Sequence, residues 1–421
     1  MTKLKKVLKF ILKLLLGLIV LGLIFNYGFK LKEYFVGKDF VAYWDNNPNE
    51  MEQVGQNEEF NFSSLAKIAS DNDLILFGES HGTKEAQKID LQLIKYLNRT
   101  VGMKNHIVEL DFSQAYFINE YLKTGNDTLV NYVLKNWVVE SGRNNKDYYD
   151  KWHNLFKINQ NLPDSLKIQI IGIDQINDFA ITQNHLTKIF ENLNIKTQIP
   201  REKKKIVEWS KLELPNIIEK NKDSIEQETL NNLEHIKFNL QEYFEEIRPE
   251  LMFANFQKQF KRHKLENQKI YGYFGIAHVL QSEMNGYDDF TAILKKSNLS
   301  IKNKIFSIAT MFSDSKWGIP SEYLPSPMRG KKRLTKIPIS YDSPIIMYYY
   351  GINDLKRVTK EHTNTLFVLN NKQSPYSQSL RLVDNFGLIP SGMDITLKES
   401  TTTDYFGAVF LIRNSDWAEP N

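Results

Sequence analysis

Glu79, His81 and Glu85 stand close together in Asp73-Leu-Ile-Leu-Phe-Gly-Glu-Ser-His-Gly-Thr-Lys-Glu85. A neutral imidazole accepts a proton from water or a hydroxyl near neutral pH, and a nearby carboxylate orients the ring and stabilises its charged form. His81 flanked by Glu79 and Glu85 therefore has the makings of a general base. Further ionisable groups close three other apolar runs: Glu109 and Asp111 in His106-Ile-Val-Glu-Leu-Asp111, Asp174 in Ile168-Gln-Ile-Ile-Gly-Ile-Asp174, and His278 after Ile270-Tyr-Gly-Tyr-Phe-Gly-Ile-Ala-His278. Arg248 could bind a substrate carboxylate or phosphate, or pair with Glu79 or Glu109. The bland readings are a surface-turn role for His81, a core role for His278, and helix caps or loop bonds for Glu109 and Asp174.

Each of these runs has the length and apolar content of a buried strand, and helical stretches separate them, which predicts a mostly parallel sheet. If the strands are neighbours, Glu79, His81, Glu109, Asp174 and His278 converge at their carboxyl ends, where open α/β sheets bind ligands. Gly78 and Gly82 suit a tight strand-to-helix turn, with Thr83 as the expected N-cap of a helix running to Val101. Further helices are expected at Ser113–Lys123, Thr128–Trp137 and Lys146–Asn161. Residues 179–264 read as a helical insertion, broken at Arg248-Pro249. Strands resume at Lys304–Thr310, Thr365–Leu369 and Phe406–Ile412, with a Pro-rich basic loop from Trp317 to Pro338 that could border a pocket.

The N-terminus places Lys3, Lys5, Lys6, Lys9 and Lys13 before an uncharged run from Leu14 to Phe29. This reads as a membrane-spanning helix over residues 1–30; a cleaved signal peptide is the rival reading, against which no small-residue cleavage site and no lipid-accepting cysteine follow. Lysines ahead of the segment hold the tip in the cytoplasm and send the rest of the chain across. Residues 31–60 read as a stem and 61–421 as the α/β domain. The first 32 residues hold seven lysines and no acid, leaving 47 basic against 50 acidic side chains elsewhere, a net −3. The sequence pI of about 8.7 is thus produced by the anchor, and no basic excess remains to suit a nucleic acid. With no cysteine, thiolate nucleophiles, Cys-based zinc sites and disulfides are excluded. His-Glu-x-x-His, Walker and Gly-x-Gly-x-x-Gly patterns do not occur; Gly78-Glu-Ser-His-Gly82 has the Gly-x-Ser-x-Gly spacing, but Ser80, set between Glu79 and His81, reads as a hydrogen-bonding residue rather than a nucleophile. The histidines at 106, 153, 185, 235, 263 and 362 show no paired spacing and read as incidental.

In order along residues 61–285, the chain resembles the erythromycin esterase family, hydrolases that open macrolide lactones, and more broadly the fold shared with haem-binding iron-uptake lipoproteins. The blocks that carry the resemblance are Gly78-Glu-Ser-His-Gly-Thr-Lys-Glu85, Glu109 with Ile118-Asn-Glu-Tyr121, Trp137 with Glu140, Gly172-Ile-Asp-Gln175, Arg248-Pro-Glu-Leu-Met-Phe-Ala-Asn255 and Ala277-His-Val279. The resemblance implies His81 as general base for water attack on an ester carbonyl, Glu79, Glu109 and His278 in the same cleft, and Arg248 and Asn255 supporting it from the helical side. Three departures stand out. One residue, Ser80, separates the first glutamate and histidine where the family usually has two; Gly275 occupies the place of an earlier histidine in the late motif; and Lys88 and Asp90 stand in the helix where an arginine is often found.

The leading expectation is a membrane-anchored extracytoplasmic hydrolase of an ester or related acyl bond, free of cofactors, acting on a small-molecule or envelope-derived substrate. A second expectation adds a divalent metal held by Glu79, His81, Glu109 and His278, generating hydroxide at neutral pH. A third is a non-catalytic protein binding haem or another flat ligand through its many tyrosines.

Overall fold

Leu74-Ile-Leu-Phe-Gly-Glu79 is buried at every position, the pattern of a strand covered on both faces, and it lies inside an eight-stranded sheet. The computed structural model describes residues 2–135, 144–388 and 400–420. The sheet strands in chain order are β1 (Met51–Gly55), β2 (Leu74–Glu79), β3 (Asn105–Asp111), β4 (Gln169–Asp174), β5 (Ile270–Gly275), β6 (Ile305–Ser313), β7 (Thr363–Val368) and β8 (Ala408–Arg413). Their spatial order is β1-β7-β8-β6-β2-β5-β3-β4. All pairs are parallel except those of β7 with β1 and β8. The mostly parallel sheet expected from the alternating pattern is present, with helices flanking it.

The chain builds β2, β3 and β4, then returns to place β5 between β2 and β3 and β6 on the far side of β2. The carboxyl ends of β2, β5, β3 and β4 therefore lie side by side at a topological switch point. The edge strand β4 is protected by amide side chains. Asn159 bonds both the N–H and the carbonyl of Ile168, and Asn119 does the same for Ile170. These two asparagines take the hydrogen bonds that a further strand would otherwise make.

Residues 179–264 are helical, in five helices from Phe179–Asn192 to Arg248–Arg262, and they enclose their own apolar cluster around Leu186, Ile206, Leu214, Leu233 and Leu240. Two more clusters fill the faces of the sheet.

At the N-terminus, a helix runs from Thr2 to Val36, and its Lys9–Val36 part is long and apolar enough to cross a membrane. Residues 31–60, expected as a stem, are continuous with the domain. Helix Lys38–Asn46 buries Tyr43 and Trp44, and β1 pairs with β7. Trp44 packs on Phe367 and Tyr376, contacts across the whole chain that no local period announces. The Trp317–Pro338 stretch, expected as a loop, contains an antiparallel hairpin of Ser315–Pro320 with Leu334–Ile339. Prolines are tolerated there because both strands of a two-stranded ladder are edges.

Candidate functional site

His81 and His278 reach one carboxylate from two directions. His81 leaves the end of β2 and His278 sits in the short helix Ile276–Val279 after β5; each imidazole Nε2 lies 3.8 Å from Oε1 of Glu109. Each ring is oriented through its other nitrogen: His81 Nδ1 is 2.6 Å from Oε1 of Glu79, and His278 Nδ1 is 2.6 Å from Oδ1 of Asp289. A carboxylate on Nδ1 holds the proton there and makes Nε2 the basic nitrogen of the neutral ring. The two imidazoles differ in setting. The His81 side chain is 30% exposed, the His278 side chain 10%.

Local backbone explains the placement. β3 carries one more residue than β4 between Val108 and Asp111, a bulge that turns Glu109 toward β5, where its Oε2 accepts the Gly275 N–H at 2.7 Å. Gly78 admits the helix bearing His278, because a β-carbon there would lie 2.4 Å from Val279 Cγ2. Gly82 adopts φ +79° and packs against Gly318 of the hairpin, whose N–H donates to the Gly82 carbonyl. The residues in and after the hairpin thus wall the turn: Tyr341 Oη is 3.0 Å from Ser80 Oγ.

Arg248 donates through Nη2 to Glu109 Oε1 (2.6 Å) and in two bonds of 2.8 Å to Asp174. It pairs with Glu109 and Asp174 rather than with Glu79. Its pKa is raised: burial works against the charge, and the Asp174 and Glu109 carboxylates outweigh it. Asn255 donates to the carbonyls of Ile173 and Asp174 and pairs with Asn239, fastening the end of β4 to the helical insertion. Burial lowers the His278 pKa, but the Asp289 hydrogen bond and the Glu109 and Asp289 charges overcome it and leave the value raised. Asp289 is lowered: burial raises it, and the bond and charge of His278 more than offset that.

Glu79, His81, Glu109, Asp174, Arg248 and His278 come together; Glu85 does not join them. It bonds Lys88 (2.6 Å) and Asn364 of β7 (2.9 Å), because the first turn of helix Lys84–Val101 directs it toward the other half of the sheet. Thr83 holds the N-cap position, but its hydroxyl donates to the Ser80 carbonyl. Trp137 and Glu140 lie outside the described residues. Three contributors carried no signal read from the sequence. Asp289 orients His278 while capping helix Phe290–Lys296. Gln87 bonds Glu79 (3.3 Å) and Tyr273 (2.6 Å), and Tyr273, its phenol pKa pushed well up by burial, also hydrogen-bonds Glu79. An aspartate just before an apolar helix is a legible cap; its partner histidine is not.

The metal expectation meets a donor set already committed. Both Glu109 oxygens are engaged by Arg248 and Gly275, Glu79 is engaged by His81, and among the described residues no group of three or more His, Asp or Glu is arranged to hold an ion. A guanidinium 2.6 Å from the shared carboxylate opposes a second cation there. Three of the other histidines are core groups, burial lowering His106 well below its ordinary value and His185 and His235 to about 3; half-buried His263 is lowered to about 4. Two clefts of about 520 and 530 Å³ lie elsewhere, one along β4 and helix Phe112–Thr124, the other between helices Gln227–Glu242 and Arg248–Arg262, and neither touches the paired imidazoles.

No family model and no curated protein sequence matches the chain. Solved structures do share its fold. A Bacillus cereus protein aligns over 91% of this chain and 99% of its own at 15% identity and TM-score 0.62. A succinoglycan biosynthesis protein aligns over 89% and 96% at 14% identity and TM-score 0.59. A mutant of the erythromycin esterase EreC in its open conformation aligns over 87% and 98% at 13% identity and TM-score 0.57. At these identities the likeness is one of fold.

Proposed function

We propose that the chain is a membrane-anchored hydrolase that cleaves an ester or related acyl bond with water activated by His81. The observation that carries this reading is the pair of imidazoles, each held by its own carboxylate and both turned toward Glu109. The esterase among the proteins of shared fold supports the same class of chemistry.

In this reading His81 Nε2 takes a proton from water as the oxygen attacks the acyl carbon, and Glu79 stabilises the imidazolium that forms. His278, whose raised pKa favours its protonated form, donates to the developing oxyanion and passes a proton to the leaving alkoxide as the carbon–oxygen bond breaks. The products are a carboxylic acid and an alcohol, and proton return from His81 to His278 through water resets the pair. Glu109 lies between two rings that alternate in charge, and Arg248 offsets its negative charge and fixes its position. The N-terminal helix holds the domain on the membrane, and the lysines ahead of it place the domain on the extracytoplasmic side.

The test is hydrolysis of p-nitrophenyl esters and macrolides by the full chain in nanodiscs, as wild type and His81→Ala, with and without EDTA. The expected result is turnover that survives the chelator and falls about 10²–10⁴-fold in the variant. Turnover abolished by EDTA supports the metal route instead, and turnover untouched by His81→Ala removes the general-base assignment.

A further inference from the structure

The membrane-length helix is not tethered to the domain by a flexible stem; it is built into it. Glu33, 2% exposed, accepts a bond of 3.0 Å from Arg381, whose Nε bonds Asp354 at 2.8 Å. Arg357 donates to the Tyr34 carbonyl and lies 4.0 Å over its ring. Gly37 is so close to Asp354 that a β-carbon would overlap its carboxylate. One turn further toward the apolar run, Phe29 packs on Tyr348 (4.9 Å) and Phe386 (5.4 Å), and Phe25 reaches Phe386 at 6.1 Å.

These contacts fix a depth. Phe25 and Phe29 belong to the uncharged stretch, with Lys30 and Lys32 following at once. With a rise of about 1.5 Å per residue, the rings lie within roughly 8 Å of the lysine level, in the zone where aromatic side chains and membrane interface meet. The domain segments that hold those rings therefore lie in that zone too. They are the small sheet of Asp342–Ser343, Met347–Tyr349 and Asn385–Phe386. Beside it, three large aliphatic side chains are turned outward: Ile345 is 37%, Ile346 62% and Leu388 52% exposed. The same small sheet adjoins the site, since Tyr341 precedes its first strand, packs on Tyr349 at 5.0 Å and bonds Ser80 beside His81.

We infer that Ile345, Ile346 and Leu388 form an apolar rim seated in the bilayer interface next to the helix, so that the site of His81 and His278 is held at the membrane surface and its substrate class is a lipid ester resident in that bilayer. This rests on the anchored-hydrolase reading and narrows its substrate. A rigidly docked helix fixes the height of the site, and a rim that enters the interface replaces its exposed aliphatic surface with lipid.

Since the chain has no cysteine, single labels are unambiguous. Ile346→Cys and Leu388→Cys, each carrying an NBD fluorophore, are placed in phosphatidylcholine–phosphatidylglycerol vesicles containing nitroxide lipids. Glu266→Cys, exposed in the turn before β5 at the amino ends of the parallel strands, serves as control. Quenching and a blue shift at 346 and 388 but not at 266 are expected; emission at 346 and 388 equal to that at 266 overturns the rim. The second arm compares p-nitrophenyl palmitate dissolved in the vesicles with p-nitrophenyl acetate in water, for wild type and Ile346→Asp/Leu388→Asp. The expected outcome is a fall of about tenfold in the palmitate-to-acetate ratio with acetate turnover retained. An unchanged ratio overturns the lipid-ester assignment. Absence of turnover on both esters in the wild type defeats the hydrolase reading and the substrate built on it, and the quenching result then decides the rim by itself.

Discussion

Asp289→Asn isolates one imidazole of the site without removing any other structural bond. The asparagine keeps a side-chain oxygen for the Phe290 N–H, so the cap of helix Phe290–Lys296 persists. What is lost is the charge on a 2.6 Å bond to a histidine whose side chain is 10% exposed, with Asp289 itself at 19%. A charge-assisted bond in that setting contributes about 1.5–3 kcal/mol. The pH dependence follows from the two shifts. The folded-state pKa of His278 is raised, so its stabilisation is complete below the unfolded value of about 6.5 and is lost as pH rises through the folded value. Asp289 is lowered, so its stabilisation is present above the unfolded value of about 3.9 and is lost as pH falls through the folded value. The deficit of the variant is therefore largest between about pH 4 and 6.5 and shrinks as the pH rises through the folded-state value of His278. Urea denaturation within that window and on its alkaline side reads it. The pH profile of kcat/KM supplies a second readout: loss of the carboxylate lowers the His278 pKa, moves the basic limb to lower pH and reduces the rate about 10²–10³-fold. A stability deficit equal at both pH values, together with an unmoved basic limb, would refute the dyad.

Other residues give separate expectations. Arg248→Met leaves two buried carboxylates without their shared cation and destabilises the fold by about 3–5 kcal/mol, read by chemical denaturation; Arg248→Lys retains the charge and recovers part of that loss but not the two-pronged bond to Asp174. Gly78→Ala forces a β-carbon onto Val279 and the Ile276 Cα, costing about 1–3 kcal/mol and shifting His278, so turnover falls further than stability accounts for. Glu85→Gln leaves turnover near wild type because Glu85 faces Lys88 and Asn364, whereas Glu79→Gln lowers it about 10²-fold or more; equal losses in parallel assays would return Glu85 to the site.

The sheet was legible because its buried strands are short apolar runs, and β2, β3 and β4 each close on an ionisable residue. The helical insertion was legible because its period persists from Phe179 to Arg262. Both signals are local. The strand order is not, and the return of β5 between β2 and β3 is what sets His278 opposite His81. The segment from Val36 to Gly55 was illegible for a related reason: Trp44 and β1 are ordered by Phe367, Tyr376 and the rest of β7, partners at the other end of the chain. Asp289 was hidden in the same way, since a cap is a local feature and its bond to His278 depends on how the chain turns after β5.

The spacing of Glu79 and His81 shows where sequence pattern and geometry part company. Residues two apart at a strand end project to the same side, so a single intervening residue suffices to bring His81 Nδ1 onto Glu79. Ser80, the intervening residue, points elsewhere and meets Tyr341. The shortened spacing is thus compatible with a carboxylate–imidazole pair. Gly275, standing where a further histidine was expected by resemblance, leaves room beside the His81 ring: a β-carbon there would lie 3.2 Å from Nε2. A side chain at that position would crowd the nitrogen that must receive the proton, so the glycine and the short spacing belong to one arrangement, in which His81, rather than a residue of β5, occupies the ground in front of Glu109.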